Sequence, residues 1–143
     1  MSRIVSLRGK ISDGGIDTLS LHSVDGSTGY RITKFQIMPD NPGNVESELV
    51  CKIFSVPQTT AVNTLDFQDQ TLLAAAIYGS NATTALINSE VIVFDNMTFN
   101  QDIYITHQDQ QGGSCNYYLE LEQVKLDLNE NTVATLKDIR NVA

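Results

Sequence analysis

The stretch Tyr117-Tyr118-Leu119-Glu120-Leu121-Glu122-Gln123-Val124-Lys125-Leu126 decides the fold. Leu119 and Leu121 fall on one parity, Glu120 and Glu122 on the other. A period of two belongs to a strand that turns one face to a core and the other to water. Tyr117 and Tyr118 then stand on opposite faces, so at most one of them is core. The outward one, Tyr118, either covers a neighbouring strand or anchors a protein interface, where tyrosine is enriched.

Working upstream, Gln108–Ser114 reads as a polar hairpin loop containing glycines. Phe99–Thr106 and Val91–Phe94 read as strands joined by a turn at Asp95-Asn96. Gln70–Gly79 holds Leu72, Leu73, three alanines and Ile77. Leu and Ala favour helix, but the length and setting of the segment favour a buried strand. Glu48–Val56 is apolar on both parities, as in a strand covered on both faces, and Pro57–Asn63 is loop or edge. Pro39-Asp40-Asn41-Pro42-Gly43-Asn44 is the strongest loop. In Tyr30–Met38, Tyr30 and Ile32 share one parity while Phe35 and Ile37 take the other, which places a bulge near Thr33-Lys34. Asp25-Gly26-Ser27 closes a hairpin onto Ile16–Val24, and Ser12-Asp13-Gly14-Gly15 ends a first strand, Arg3–Ile11. About eight strands at this spacing predict an all-β chain, a jelly-roll-like antiparallel β-sandwich over residues 1–128.

After Asp127 the alternation stops. Val133, Leu136 and Ile139 recur every three residues, with Lys137 and Arg140 in the last turn and Asn129 or Asn131 as a cap. Residues 129–143 are expected to form a short helix or docking arm. Val133, Leu136, Ile139 and Arg140 would be its contact residues, either on a neighbouring subunit or on its own sandwich.

The chain has 143 residues, 41% of them hydrophobic and 18% charged. That is one domain able to bury a core, with too much apolar content for disorder. No apolar run nears the roughly 20 residues of a membrane span, so no membrane partner is expected. Met1–Arg8 lacks the apolar region of a signal peptide, which predicts synthesis in a cytoplasm. The net charge of −8 argues against nucleic acid as a partner. The charge is uneven: +2 over residues 1–38 (five basic, three acidic), −11 over 39–131 (two basic, thirteen acidic) and +1 over 132–143. It serves either as a solvated acidic face or as complementarity between neighbouring subunits.

No residue set points to chemistry. His22 and His107 lack a partner at ligand spacing and read as an outward strand residue and a loop residue. Asp13, Asp17 and Asp25 do not match a calcium loop. Asp102 and Asp109 could pair across a hairpin, but glycoside hydrolysis also needs a cleft and sugar-stacking aromatics, and the chain has no Trp. Cys51 and Cys115 form no C-x-x-C pair, and a disulfide depends on Cβ geometry that spacing does not reveal. Phosphate-binding glycine motifs and a nucleophile elbow are absent from the sequence. The expectation is no catalytic residue, no metal and no cofactor.

Three segments carry a resemblance. Arg3-Ile-Val-Ser-Leu-Arg-Gly-Lys-Ile-Ser-Asp-Gly-Gly-Ile16, Gln101-Asp-Ile-Tyr-Ile-Thr-His107 and the run from Leu119 to Asn141 resemble small virion-associated proteins of marine tailed phages such as cyanophages. The resemblance implies a non-enzymatic structural protein of the virion, for capsid decoration or as a cement. Its partners would be the major capsid protein or other virion proteins and, in a homo-oligomer, its own copies. It assigns no functional residues. The alternative is a receptor- or glycan-binding module that uses the loops Asp25–Gly29, Asp40–Asn44 and Gln108–Ser114, with Asp25, Asp40, Asn41, Gln108 and Gln110 as candidate contacts. A metal-dependent hydrolase or isomerase on a cupin-like sandwich would need a ligand cluster that two unpaired histidines do not supply.

Overall fold

A computed structural model describes residues 3–21, 27–42, 46–80, 87–94 and 98–126. Every helix or strand among them is a strand: β1 (Arg3–Ile11), β2 (Ile16–Leu19), β3 (Thr28–Pro39), β4 (Ser47–Phe54), β5 (Leu72–Ser80), β6 (Ile87–Val93), β7 (Ile103–Asp109) and β8 (Cys115–Lys125). Two antiparallel sheets, β1-β8-β3 and β2-β7-β4-β5-β6, pack as a sandwich. The all-β expectation is met. The proposed helix or arm over 129–143, with Val133, Leu136, Ile139 and Arg140, lies outside the described residues, as do His22 and Asp25.

The strand order follows from folding the chain back on itself at the β4–β5 connection. That fold sets β4 on β5, β2 on β7 and β1 on β8, the rolled double ribbon of a jelly roll. One strand departs from it. A complete roll would place β6 beside β3; here β6 pairs with β5, from Ala74↔Val93 to Ser80↔Ile87. Both β3 and β6 therefore become edges. The open side is pinned by Tyr30 and Phe99, which exchange backbone hydrogen bonds of 2.7 and 2.9 Å and stack their rings at 6.3 Å.

Two expected hairpins are corrected by this topology. β2 pairs with β7 and β3 with β8, so the expected hairpin at Asp25-Gly26-Ser27 does not join strand partners. β6 and β7 lie in one sheet but are separated by β4 and β5. Residues 110–114 carry the chain from one sheet to the other, and Gln108 belongs to β7 rather than to the loop. Turn residues mark where a chain reverses; which sheet receives the next strand is fixed by long-range burial.

The core forms between the inner faces. Leu119 and Leu121 of β8, with Phe35 and Ile37 of β3, meet Leu49 and Ile53 of β4 and Ile103 and Ile105 of β7, all buried. The register shift between Ile32 and Lys34 lets β3 direct both Ile32 and Phe35 inward, as the parity change predicts. The alanine segment is strand β5: Ala74 and Ala76 pair with Ile53 and Cys51 on the inner face, and burial overrides helix propensity. β4 is covered on both faces because residues 55–71 cross the outside of its sheet. There Lys52, only 4% exposed, donates from Nζ to the Thr64 carbonyl at 2.7 Å. Burial pushes the Lys52 ammonium down from its ordinary pKa, and the charge of Asp69 opposes the shift.

His107 corrects another expectation. It is not an outward loop residue but fully buried in β7, opposite Cys51. Its Nε2–H donates to the Gly113 carbonyl at 2.9 Å, holding the crossover to β8.

Candidate interaction surfaces

The outer face of the small sheet carries Tyr118. Period two on β8 turns Tyr118, Glu120 and Glu122 outward, and the register sets them between β1 and β3: Arg8–Tyr118–Gln36, Ser6–Glu120–Lys34 and Ile4–Glu122–Arg31. Glu120 and Glu122 on the central strand thus lie beside Lys34 and Arg31 of β3, and Arg31 pairs with Glu122. The Tyr118 hydroxyl donates to Glu120 at 2.7 Å, and the Lys34 ammonium sits 5.9 Å from its ring. The accepting Glu120 carboxylate, with lesser help from burial and its charge, raises the Tyr118 pKa, partly offset by a hydrogen bond with Ser6.

The structure brings part of the predicted set together. Tyr118, Arg8, Lys10, Gln36, Met38 and Asn116 line a shallow groove of about 460 Å³. Lys10 at its rim reaches the Asp40 carboxylate at 3.6 Å. The Asp40 N–H donates to the Ser114 carbonyl, which seats the 40–42 bend beside the crossover carrying Gln110. Asp40, Asn41 and Gln110 are exposed at that end of the sandwich. Gln108 is not part of this group: it lies opposite Val50 in the other sheet.

The two aspartates weighed as a carboxylate pair lie at opposite ends of β7. Asp102 accepts the Leu21 N–H at 2.9 Å. Asp109 is buried and accepts from the backbone of Glu48, Gln111 and Gly113 at 2.8–3.0 Å, while its own N–H donates to Asp13. Both carboxylates hold backbone. Among the described residues no three His, Cys, Asp or Glu side chains gather as a possible metal site, and no helix is long and apolar enough to cross a membrane.

A second surface was missed in the sequence. Among the described residues β6 is one edge of the large sheet, and Ile87, Val91 and Ile92 along it are 61%, 44% and 41% exposed. Beside it, Leu65 and Phe67 of the covering segment, Ala75 and Ile77 of β5, and Glu90 and Ile92 of β6 line a groove of about 390 Å³. Val91–Phe94 reads only as a strand; the sheet order shows that, among the described residues, it belongs to a β6 hydrogen-bonded on one side alone.

The four edges differ. β2 has four residues; β1 carries Arg3, Arg8 and Lys10; β3 carries Arg31, Lys34, a bulge and a terminal Pro39. Each of these features discourages another chain from adding a strand. β6 has seven residues, no cation, no proline and an unbroken register with β5. The chain matches no protein-family model and no curated protein sequence.

Proposed function

We propose that this protein is a non-enzymatic structural component of a phage virion, a capsid decoration or cement protein that binds capsid protein, its own copies or both. The β6 edge carries the reading. It is the one described edge that is neither short nor marked by a cation, a proline or a bulge, and it adjoins exposed apolar side chains, a combination that favours strand addition by another chain. A second copy fits this edge by two-fold antiparallel pairing centred on Ser89. That register sets Ile87 against Val91 and Asn88 against Glu90, which avoids a Glu90–Glu90 contact. The strongly acidic stretch 39–131 and the cations of β1 and β3 favour ordered contacts between copies over random ones.

Quantitative mass spectrometry of purified virions tests the role. Many copies in fixed ratio to the major capsid protein support it; absence from the particle overturns it. A few copies per particle would favour receptor or glycan recognition on a tail or capsid surface, a reading helped by the Tyr118 groove with its polar Arg8, Gln36 and Asn116. Val91→Lys on the exposed edge tests the mode of contact: self-association in sedimentation velocity, or retention on particles, should fall while the fold persists.

A further inference from the structure

Cys51 and Cys115 are 64 positions apart in sequence, yet both are completely buried in one cluster. Cys51 points inward from β4 with Leu49 and Ile53; Cys115 points inward from β8 with Tyr117 and Leu119. The 110–114 crossover, held by His107 to Gly113, brings the start of β8 over the His107–Cys51 pair. The two thiols thus lie on the inner faces of opposite sheets in the same part of the core, and Cys115 Sγ lies 3.5 Å from the Asn116 carbonyl. Both are free thiols.

We infer that Cys51 and Cys115 are a site for an inter-sheet disulfide, closed by thiol–disulfide exchange when the chain folds in the presence of a low-molecular-weight disulfide such as oxidised glutathione. One protein thiolate attacks the glutathione disulfide, forming a mixed disulfide and releasing one glutathione thiolate. The second protein thiolate attacks the protein sulfur of that mixed disulfide and releases the other glutathione. The protein loses two protons and two electrons; one glutathione disulfide becomes two thiols. Complete burial of both sulfurs makes the folded reduced protein slow to react, so the bond forms during folding or opening. Interaction with the Cys115 thiol, followed by burial, raises the Cys51 thiol well above its usual pKa, which reinforces that inertness.

The bond would close a 65-residue loop and join the two sheets directly. Folding would raise the effective concentration of one thiol toward the other roughly a thousand-fold over the unfolded chain.

The full-length protein is equilibrated in glutathione redox buffers, once under folding conditions and once in concentrated urea, then acid-quenched. Intact mass, thiol titration and peptide mapping are read. The expected result is a monomer lighter by about 2 Da with the Cys51–Cys115 peptide pair and no free thiol. It should persist at far more reducing buffer in the folded series than in urea, and Cys51→Ser and Cys115→Ser should each abolish it. Equal or weaker oxidation in the folded series, or glutathione adducts and intermolecular dimers in place of the internal bond, would overturn the inference.

Discussion

Asp109 offers the sharpest test of how this sandwich is held together. Its carboxylate is buried and takes three backbone N–H groups: Glu48 at 3.0 Å and Gln111 at 2.9 Å on Oδ1, and Gly113 at 2.8 Å on Oδ2. It thereby ties the start of β4 to the crossover between the sheets. Asp109→Ala leaves those donors unmatched. Gln111 is exposed, so water replaces its bond at little cost. The bonds from Glu48 and Gly113 are charge-assisted and partly buried, and at about 1.5 kcal/mol each their loss costs about 3 kcal/mol. Asp109→Asn keeps an oxygen for Glu48 and Gln111 but sets an NH₂ group against the Gly113 N–H, so it should cost about half as much. In urea unfolding, with a slope of about 2 kcal/mol per molar, the midpoints should fall by roughly 1.5 M for Ala and 0.7 M for Asn. Both midpoints within about 0.2 M of wild type, or an Asn variant as damaged as Ala, would show that acceptor geometry at this carboxylate does not hold the crossover.

Gly9 lies under the Tyr117 ring: a Cβ there would sit 2.5 Å from the hydroxyl oxygen and 2.7 Å from Cζ. Gly9→Ala should therefore cost about 1–3 kcal/mol by overpacking, and a Tyr117→Leu background should remove most of that penalty in a double-mutant cycle. Burial, followed by the charge and hydrogen bond of Asp17, pushes the Tyr117 hydroxyl up to about 12. An acid whose folded pKa exceeds its unfolded value keeps its proton longer in the folded state. Stability should therefore be unaffected below pH 10 and fall as pH rises from about 10 to about 12. Urea midpoints across that window should fall less steeply for Tyr117→Phe than for wild type; identical slopes would contradict the assignment.

Much of the architecture was legible in local pattern. The parity of Leu119 and Leu121 against Glu120 and Glu122 described β8 correctly, and the parity change in Tyr30–Met38 located a bulge found between Ile32 and Lys34. The alanine segment was legible only through its context, because Leu and Ala taken alone point to helix. The hairpins failed for a physical reason: Gly and Asp reverse the chain equally well within a sheet and between sheets. His107 failed similarly, since a polar residue near a turn looks exposed until a carbonyl such as that of Gly113 satisfies it in the core. Of the candidate contacts, Tyr118 lines the groove whose rim residue Lys10 pairs with Asp40, whereas Gln108 belongs to another sheet. The β6 edge was invisible because a strand's own residues do not report how many neighbours it has.

The sequence by itself determined that this chain is a β-sandwich, where most strands run and, for β3 and β8, which face seeks the core. Those properties come from backbone sterics and the period of two, which act over a few residues. Only the tertiary structure decided that β6 joins β5 rather than β3, that β6 forms an apolar edge among the described residues, and that Cys51 and Cys115 share one core between the sheets. These depend on contacts between residues tens of positions apart, selected by total burial and by the pairing of every buried backbone group.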